Sequence, residues 1–252
     1  MAASTTIRES DLEFDHGTFD SAGFAAHALE NWQALAAVID HTLLKPEATR
    51  EQVETLCAEA ARYRFACAMV NPVWASTAVA SLAGTGIQVG VVIGFPLGAS
   101  LNSTLRHEAA ALVKLGAREL DMVIPIGQLK SGNHHAVKHS IQAAAQIAHG
   151  GGAILKVILE TALLTVEEKL RAAEIAIQAG ADFLKTSTGF SPAGGATAAD
   201  VALLRGVAGA RSGVKASGGI RTLADVKTML EAGANRVGAS ASVAIVRELG
   251  AE

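Results

Sequence analysis

The stretch that decides the fold is residues 181–190, Ala-Asp-Phe-Leu-Lys-Thr-Ser-Thr-Gly-Phe. Phe183 and Leu184 predict a buried strand, and Lys185 then stands where that strand should be most apolar. Burying an ammonium group costs several kcal/mol unless the group is paired or neutralised. Two interpretations of Lys185 are open: a structural ion pair with a carboxylate such as Asp182, or a neutral amine that attacks a carbonyl group.

Seven other segments follow the same pattern, an apolar strand and then an amphipathic helix. The eight predicted strands are Val38–Leu43, Phe65–Asn71, Val89–Phe95, Glu119–Ile124, Ala153–Glu160, Ala181–Ser187, Gly213–Ser217 and Arg236–Ser240. Near-continuous apolar strands that alternate with helices predict a parallel sheet covered by helices. Eight such units in 252 residues favour a closed (β/α)8 TIM barrel. A doubly wound open sheet is the alternative, although no Gly-x-Gly-x-x-Gly follows the first strand to support it.

The domain organisation is expected to be simple. Residues 1–23 predict a loosely ordered arm because their Ser, Thr, Asp and Glu show no periodicity. A short helix at Leu29–Ala37 would lead into a single barrel domain at residues 24–252. The first 20 residues lack the apolar core of a signal peptide, and no apolar run approaches the roughly 20 residues of a membrane span. We therefore expect a cytoplasmic protein.

Composition narrows the classes of protein and ligand. Hydrophobic residues make up 50% and aromatic residues only 4%, which favours layered α/β packing over an aromatic-rich β-sandwich. A net charge of −3 gives no indication of nucleic acid or of an anionic membrane surface as a partner. Cys57 and Cys67 show neither metal-ligand spacing nor a disulfide framework. His135 and His139 are spaced for a metal, but a solvated helix face explains them as well.

Four charged residues interrupt the fourth to seventh predicted strands. Asp121, Lys156, Lys185 and Lys215 are separated by 35, 29 and 30 residues, about one strand–helix unit each. Equal spacing places them at similar heights on adjacent strands, so inward-pointing side chains would meet inside the barrel. Barrel enzymes keep their active sites at the C-terminal mouth. A catalytic site is therefore favoured over a solvated rim or a set of structural ion pairs.

Two neighbouring lysines have a specific chemical consequence. Two like charges about 4 Å apart repel by roughly 4 kcal/mol at an effective dielectric constant near 20. Since one pK unit is about 1.36 kcal/mol, this repulsion could lower the pKa of one amine by around three units. Burial acts in the same direction. A neutral amine near pH 7 is what Schiff-base chemistry requires, and it needs neither a cofactor nor a metal.

A second group of residues follows the last two predicted strands. Gly218 and Gly219 end the seventh strand, and Gly238 and Ser240 precede a predicted helix. Glycines let backbone N–H groups approach an anion, and Gly189 supplies a further donor. The loops after strands seven and eight form the usual phosphate site of barrel enzymes. The sequence therefore predicts a phosphorylated ligand.

With these residues placed, the chain resembles the deoxyribose-phosphate aldolases, a family of class I aldolases. The resemblance runs from about Ile39 to Val246. It rests on Ile-Asp-His-Thr-Leu-Leu (39–44), Val-Asn-Pro (70–72), Gly-Phe-Pro-Leu-Gly (94–98), Glu-Leu-Asp-Met-Val (119–123), Leu-Lys-Val-Ile-Leu-Glu-Thr (155–161), Lys-Thr-Ser-Thr-Gly-Phe (185–190), Val-Lys-Ala-Ser-Gly-Gly-Ile-Arg (214–221) and Gly-Ala-Ser (238–240).

The resemblance implies reversible cleavage of 2-deoxy-D-ribose 5-phosphate to D-glyceraldehyde 3-phosphate and acetaldehyde. It implies that Lys185 forms the imine, that Lys215 is the cation beside it, and that Asp121 transfers protons through a water. The implied substrate-binding residues are Asp40, Thr42, Lys156, Thr186, Gly189, Gly218, Gly219, Gly238 and Ser240. The expected partners are the sugar phosphate and acetaldehyde, with no nucleic acid and no membrane, and a homodimer is left open.

The chain departs from the family pattern in three places. Some members carry a lysine where this chain has Phe190, some end in a tyrosine where this chain ends Leu-Gly-Ala-Glu, and many have a cysteine at the position of Met69. None of these changes touches the imine chemistry. Two other interpretations stay open: a class I aldolase with a different acceptor or donor preference, and a barrel that binds a sugar phosphate without turnover.

Overall fold

Eight parallel strands close into a barrel within residues 17–252, the part of the chain that this computed structural model describes. Each strand pairs with the next, and the last pairs with the first. The strands are β1 Ile39–Leu43, β2 Cys67–Val70, β3 Gln88–Ile93, β4 Glu119–Val123, β5 Ile154–Ile158, β6 Phe183–Lys185, β7 Gly213–Ser217 and β8 Arg236–Ala239. The prediction of a (β/α)8 barrel is confirmed, and the open-sheet alternative is wrong.

Helices alternate with the strands and cover the outside of the barrel. They are α1 Ser21–Ala28, α2 Trp32–Ala36, α3 Arg50–Tyr63, α4 Ala75–Ser81, α5 Asn102–Leu115, α6 Ile126–Lys130, α7 His134–Gly150, α8 Val166–Gln178, α9 Ala198–Ala208, α10 Leu223–Glu231 and α11 Ser242–Glu248. Thr165 and Glu168 form a capping box at the start of α8. No helix within residues 17–252 is both long and apolar enough to cross a bilayer.

The start of the barrel domain differs from the prediction. The helix expected at Leu29–Ala37 is shorter, at α2, and a helix that we did not predict, α1, precedes it and begins inside the expected arm. The side chain of Asp20 caps α1 and that of Asn31 caps α2, each accepting a backbone N–H at 2.9 Å. Because an N-cap residue has non-helical backbone angles, Asn31 separates the two helices. Residues 1–16 of the expected arm lie outside the described residues.

The strand register decides which side chains meet in the interior. Asp121 pairs with Lys156, and Lys185 pairs with Lys215. Lys156 itself pairs with Phe183, so the second pair lies two residues further along the strands than the first. Closing a barrel requires such a stagger between strands. The four residues therefore occupy two adjacent levels rather than one, and long lysine side chains span the difference.

Candidate active site

Asp121 lies at the centre of a buried network of charges. Its carboxylate accepts hydrogen bonds from the Nζ atoms of Lys156, Lys185 and Lys215, each at 2.7 Å. All four side chains are almost fully buried, with Lys185 3% exposed. The structure therefore brings together the four residues that interrupt the predicted strands.

Three further residues complete this network. Lys215 also donates to Asp40, and Lys156 lies 2.5 Å from a carboxylate oxygen of Glu119. Arg236 contacts Asp40 at 2.8 Å and Glu119 at 3.6 Å. Glu119 and Arg236 are not among the site residues predicted from the sequence. The signals were present, because Glu119 stands two residues before Asp121 on the same strand face and Arg236 is the charged residue that opens β8.

The charges of this network do not balance. Within residues 17–252 it joins four cationic side chains to three carboxylates. An unpaired charge is costly in a buried environment. Loss of one proton from one lysine makes the number of positive and negative charges equal. The arrangement therefore favours one neutral amine.

Lys185 is the amine whose pKa is lowered. Burial lowers its pKa, the nearby carboxylate of Asp121 opposes this, and the ammonium groups of Lys215 and Lys156 lower it further, to about 8. The repulsion predicted from the sequence is present, but burial is the larger cause. About a tenth of Lys185 is therefore a free, nucleophilic amine at pH 7, far more than a lysine of ordinary pKa 10.5 provides.

Neighbouring groups are held in the opposite, charged state. Burial disfavours the ammonium of Lys156, but Asp121, Glu119 and Asp40 outweigh it and hold the pKa of Lys156 well above its usual range. Burial also disfavours the carboxylate of Asp121, but the three lysines hold its pKa well below its usual range. Asp121 is therefore a carboxylate at rest beside the Lys185 amine.

A cavity of about 300 Å³ opens above the network at the C-terminal ends of the strands. The predicted site residues that line it are Thr42, Lys185, Gly189, Lys215, Gly218, Gly219, Gly238 and Ser240. Asp40, Asp121, Lys156 and Thr186 are buried and lie outside that lining. Both carboxylate oxygens of Asp40, which was predicted to bind substrate, are used by Lys215 and Arg236.

Two loops that contain glycine line the cavity, Thr188–Phe190 after β6 and Gly218–Gly219 after β7. They are called the glycine loops below. Gly189 and Gly218 have φ angles of +83° and +88°, and a Cβ on Gly218 would lie 3.3 Å from the Cα of Gly189. Thr186 links the two loops, since its hydroxyl donates to the carbonyl of Ser217 and accepts from the N–H of Ser217, both at 3.2 Å. Glycine is needed at Gly218 because a side chain there would push apart two loop backbones that lie close together.

The remaining wall is part aromatic and part cationic. Phe190 is 46% exposed and packs edge-on against Phe95, with ring centroids 5.2 Å apart. Lys45 and Arg221 also line the cavity. The sequence analysis did not single out these two cations, although Arg221 directly follows the Gly-Gly-Ile of the second glycine loop. Cations therefore remain at the mouth even though position 190 is not a lysine.

Within residues 17–252, the group of donors that most resembles a metal site is already neutralised by cations. Ligand atoms of Asp40, Cys67 and Glu119 lie within 4.8 Å of one another. Lys156 contacts both carboxylates, and burial raises the pKa of the Cys67 thiol well above its usual range. His135 and His139 stack on α7 with ring centroids 6.4 Å apart, and both are exposed. These residues offer no donor set that suits a resident metal ion.

Comparisons with known proteins agree with this geometry. The profile of the DeoC/LacD family aldolases matches residues 10–248. A deoxyribose-phosphate aldolase of Lysinibacillus sphaericus is 54% identical over 86% of this chain and 96% of its own length. One from a Thermoanaerobacter species is 53% identical over 85% and 96%. The solved structure of the Aeropyrum pernix deoxyribose phosphate aldolase, a tetramer, superposes with a TM-score of 0.84 at 35% identity, covering 91% of this chain and 96% of that one.

Proposed function

The chain belongs to the DeoC/LacD family of aldolases, and from this premise we propose that it is a deoxyribose-phosphate aldolase. It is a lyase that cleaves 2-deoxy-D-ribose 5-phosphate reversibly to D-glyceraldehyde 3-phosphate and acetaldehyde. The observation that carries the proposal is the Lys185 amine, which lines the cavity with a pKa of about 8 and contacts Asp121 at 2.7 Å.

The first half of the reaction uses Lys185 as the nucleophile. Its free amine adds to the aldehyde carbon C1 of the open-chain sugar and gives a carbinolamine. Loss of water then gives a protonated imine. Lys215 and Asp121 both lie next to the Lys185 amine, through the shared carboxylate oxygen. We assign them to the proton transfers that this dehydration needs, with Asp121 acting through a water.

The second half of the reaction breaks the carbon–carbon bond. The C3 hydroxyl gives its proton, through the water, to Asp121, the C2–C3 bond breaks, and the electron pair of that bond moves toward the protonated imine. The three-carbon fragment leaves as D-glyceraldehyde 3-phosphate. The enamine that remains on Lys185 is protonated at C2 and hydrolysed to acetaldehyde and the free amine. Lys156 holds a hydrogen bond to the second carboxylate oxygen, so Asp121 is ionised at rest and gives up, through the water, each proton that it accepts.

The phosphate end of the substrate is assigned to the glycine loops. Gly189, Gly218, Gly219, Gly238 and Ser240 line the same side of the cavity, and Thr186 braces it from beneath. Thr42, on the neighbouring strand β1, is assigned to the sugar. Backbone N–H groups and cations favour a phosphate dianion over an uncharged hydroxyl. This division places the reactive aldehyde at Lys185 and the charged end at the mouth.

The decisive experiment is a coupled assay for glyceraldehyde 3-phosphate and acetaldehyde, with deoxyribose 5-phosphate as substrate. We expect turnover by the wild-type protein and none by Lys185→Ala, while Lys169→Ala, which removes a lysine on α8, stays active. Borohydride with acetaldehyde should label Lys185. Turnover of a different aldehyde pair would instead support an aldolase of altered preference, and binding without turnover would support the non-enzymatic barrel.

Two expectations about the cellular form belong to the proposal. The protein works in the cytoplasm, and it self-associates, with a homodimer as the smallest assembly. The tetrameric Aeropyrum pernix relative supports self-association. Sedimentation analysis of the wild-type protein at micromolar concentration tests it, and a monomer at all concentrations would contradict it.

A further inference from the structure

Glu160 is a buried carboxylate beside the site to which the reaction assigns no role. It follows β5, is 2% exposed, and has left-handed backbone angles of φ 57° and ψ 60°. Arg64 is the other non-glycine residue with positive φ in residues 17–252, and it ends helix α3, where that conformation is common. A residue held in a sparsely populated conformation persists only where the surrounding structure determines it, and such residues cluster at functional sites.

The contacts of Glu160 all lead to the loop that follows Lys185. Both carboxylate oxygens accept from the backbone N–H of Thr188, at 3.3 Å, and one also accepts the Thr188 hydroxyl. The Thr188 hydroxyl oxygen in turn accepts the N–H of Phe190 at 3.0 Å. The Glu160 carboxylate therefore holds the backbone N–H of Thr188 directly. Through the Thr188 hydroxyl it also holds the backbone N–H of Phe190, on the other side of Gly189.

The amide between them is left free. The N–H of Gly189 donates to no acceptor among residues 17–252, although Gly189 lines the cavity. Gly189 has a φ of +83°. A glycine whose neighbours are not held in place can adopt this conformation and many others. Fixing both neighbours selects one orientation of the free N–H before any ligand arrives, which lowers the entropic cost of binding.

We propose that Glu160 is a positioning residue for phosphate: through Thr188 it orients the Gly189 N–H toward the phosphate of the substrate. The proposal rests on the proposed function, since it takes the glycine loops as the phosphate site. It predicts that Glu160 affects the affinity for the phosphate group and leaves the imine chemistry of Lys185 unaffected.

The test compares Glu160→Gln with the wild-type protein. Glutamine keeps the shape but replaces one acceptor oxygen by an NH2 donor and removes the negative charge, so the single oxygen that remains must accept both the Thr188 hydroxyl and N–H and holds them more weakly. The KM for deoxyribose 5-phosphate should rise about tenfold, the factor expected for loss of one hydrogen bond to a charged group, with kcat within about twofold. The Kd of inorganic phosphate, measured by calorimetry, should rise by the same factor.

Two further variants separate positioning from simple structural support. Thr188→Val should give the same rise in KM, Thr188→Ser should restore the wild-type value, and the Glu160→Gln, Thr188→Val double variant should be no worse than Thr188→Val alone. Glu108→Gln is the matched control, because the Glu108 carboxylate accepts the N–H of Gly94 at 3.0 Å in the loop after β3. It should change neither constant.

A phosphate-independent readout completes the test. The rate at which borohydride traps acetaldehyde on Lys185 should be the same in Glu160→Gln and in the wild-type protein. An equal fall in trapping and in sugar cleavage, or an unchanged Kd for phosphate, would overturn the proposal. If the wild-type protein failed to cleave deoxyribose 5-phosphate, the proposed function would fail, while phosphate binding and trapping would still decide the role of Glu160.

Discussion

At the scale of single residues, the site depends on an imbalance of buried charge. Four cations face three carboxylates, and the pKa of Lys185 falls to about 8 while that of Lys156 rises. The two lysines contact the same Asp121 at the same distance of 2.7 Å. They differ because Lys156 has Glu119 and Asp40 as further carboxylate neighbours, whereas Lys185 has Lys215 beside it.

Replacing Lys215 should shift the pH profile of the enzyme. The ammonium of Lys215 lowers the pKa of Lys185, so Lys215→Leu should raise that pKa and move the acid limb of kcat/KM to higher pH. We expect a shift of about one pH unit together with a lower maximum, because burial remains the larger cause. Lys227→Leu, an exposed lysine on α10, should leave the profile in place. An unshifted profile in Lys215→Leu would mean that burial alone tunes the nucleophile.

Replacing Lys156 should mainly lower stability, whereas replacing Lys185 should mainly abolish activity. Lys156→Met leaves one oxygen of Asp121 without its buried donor and removes the closest cation of Glu119, so the free energy of unfolding should fall by about 3–5 kcal/mol. Lys185→Met removes the surplus cation, so the free energy of unfolding at pH 7 should change by about 1 kcal/mol or less while cleavage is lost. Denaturant unfolding of both variants measures the difference. Comparable losses of stability would contradict the charge balance.

The sign of the pH dependence follows from the same pKa. The pKa of Lys185 is about 8 in the folded protein and 10.5 as its ordinary value. Between these values the unfolded chain binds more protons at this residue than the folded protein does. The wild-type protein should therefore gain stability relative to Lys185→Met as the pH rises from 8 to 10.5.

At the scale of the elements, strand β2 carries Met69 in place of the family's cysteine, and this difference bears on how well the enzyme tolerates acetaldehyde. Cys67 and Met69 both point into the barrel, in a small apolar cluster with Leu44 and Val92, and both are fully buried. Burial raises the pKa of the Cys67 thiol well above its usual range, as its depth in the barrel predicts. Neither residue lines the cavity, so β2 presents no reactive thiol to the substrate.

The wild-type enzyme should therefore tolerate concentrated acetaldehyde. Two acetaldehyde molecules condense and lose water to give an unsaturated aldehyde, which adds to thiolates. Met69→Cys places a thiol two residues closer to the mouth of the barrel than Cys67. This variant should lose activity in acetaldehyde faster than the wild-type protein. Cys67→Ala should behave as the wild-type protein does. Residual activity with time and mass spectrometric mapping of adducts test this, and rapid wild-type inactivation with an adduct on Cys67 would show that the argument from depth is wrong.

At the scale of the whole molecule, closure of the barrel assembles the phosphate site. Gly189 follows β6, Gly218 and Gly219 follow β7, and Gly238 and Ser240 lie at the end of β8. These positions are far apart in sequence and share one wall of a cavity only because consecutive strands are neighbours in the barrel. The pairing of β8 with β1 then places the wall beside Thr42.

Removing the phosphate from the substrate should therefore lower kcat/KM by more than the loss of a single hydrogen bond would. Two or three hydrogen bonds to a charged group, at about 1.5 kcal/mol each, correspond to roughly a hundredfold or more in kcat/KM. We expect unphosphorylated 2-deoxyribose to be cleaved at least that much less efficiently than deoxyribose 5-phosphate, and inorganic phosphate to compete with the phosphorylated sugar alone. Equal kcat/KM for both sugars would count against the glycine loops as the phosphate site.

Several features of this protein follow from the sequence by itself. The alternation of apolar strands with helices predicts the barrel, because side-chain periodicity is a local property that every strand and helix shows independently. The four charges that interrupt β4 to β7 stand out for the same reason, since a buried charge conflicts with the apolar pattern around it. The glycines after β6, β7 and β8 mark close backbone approach in the same way.

Only the tertiary structure decided how those charges are partnered. The membership of Glu119 and Arg236, the burial of Asp40 away from the cavity, and the dominance of burial over Lys215 in lowering the pKa of Lys185 all depend on strand register and stagger. The link from Glu160 to Thr188 spans two strands in the same way. Pairing between distant residues is set by closure of the whole barrel, and a local pattern holds no information about the distance across it.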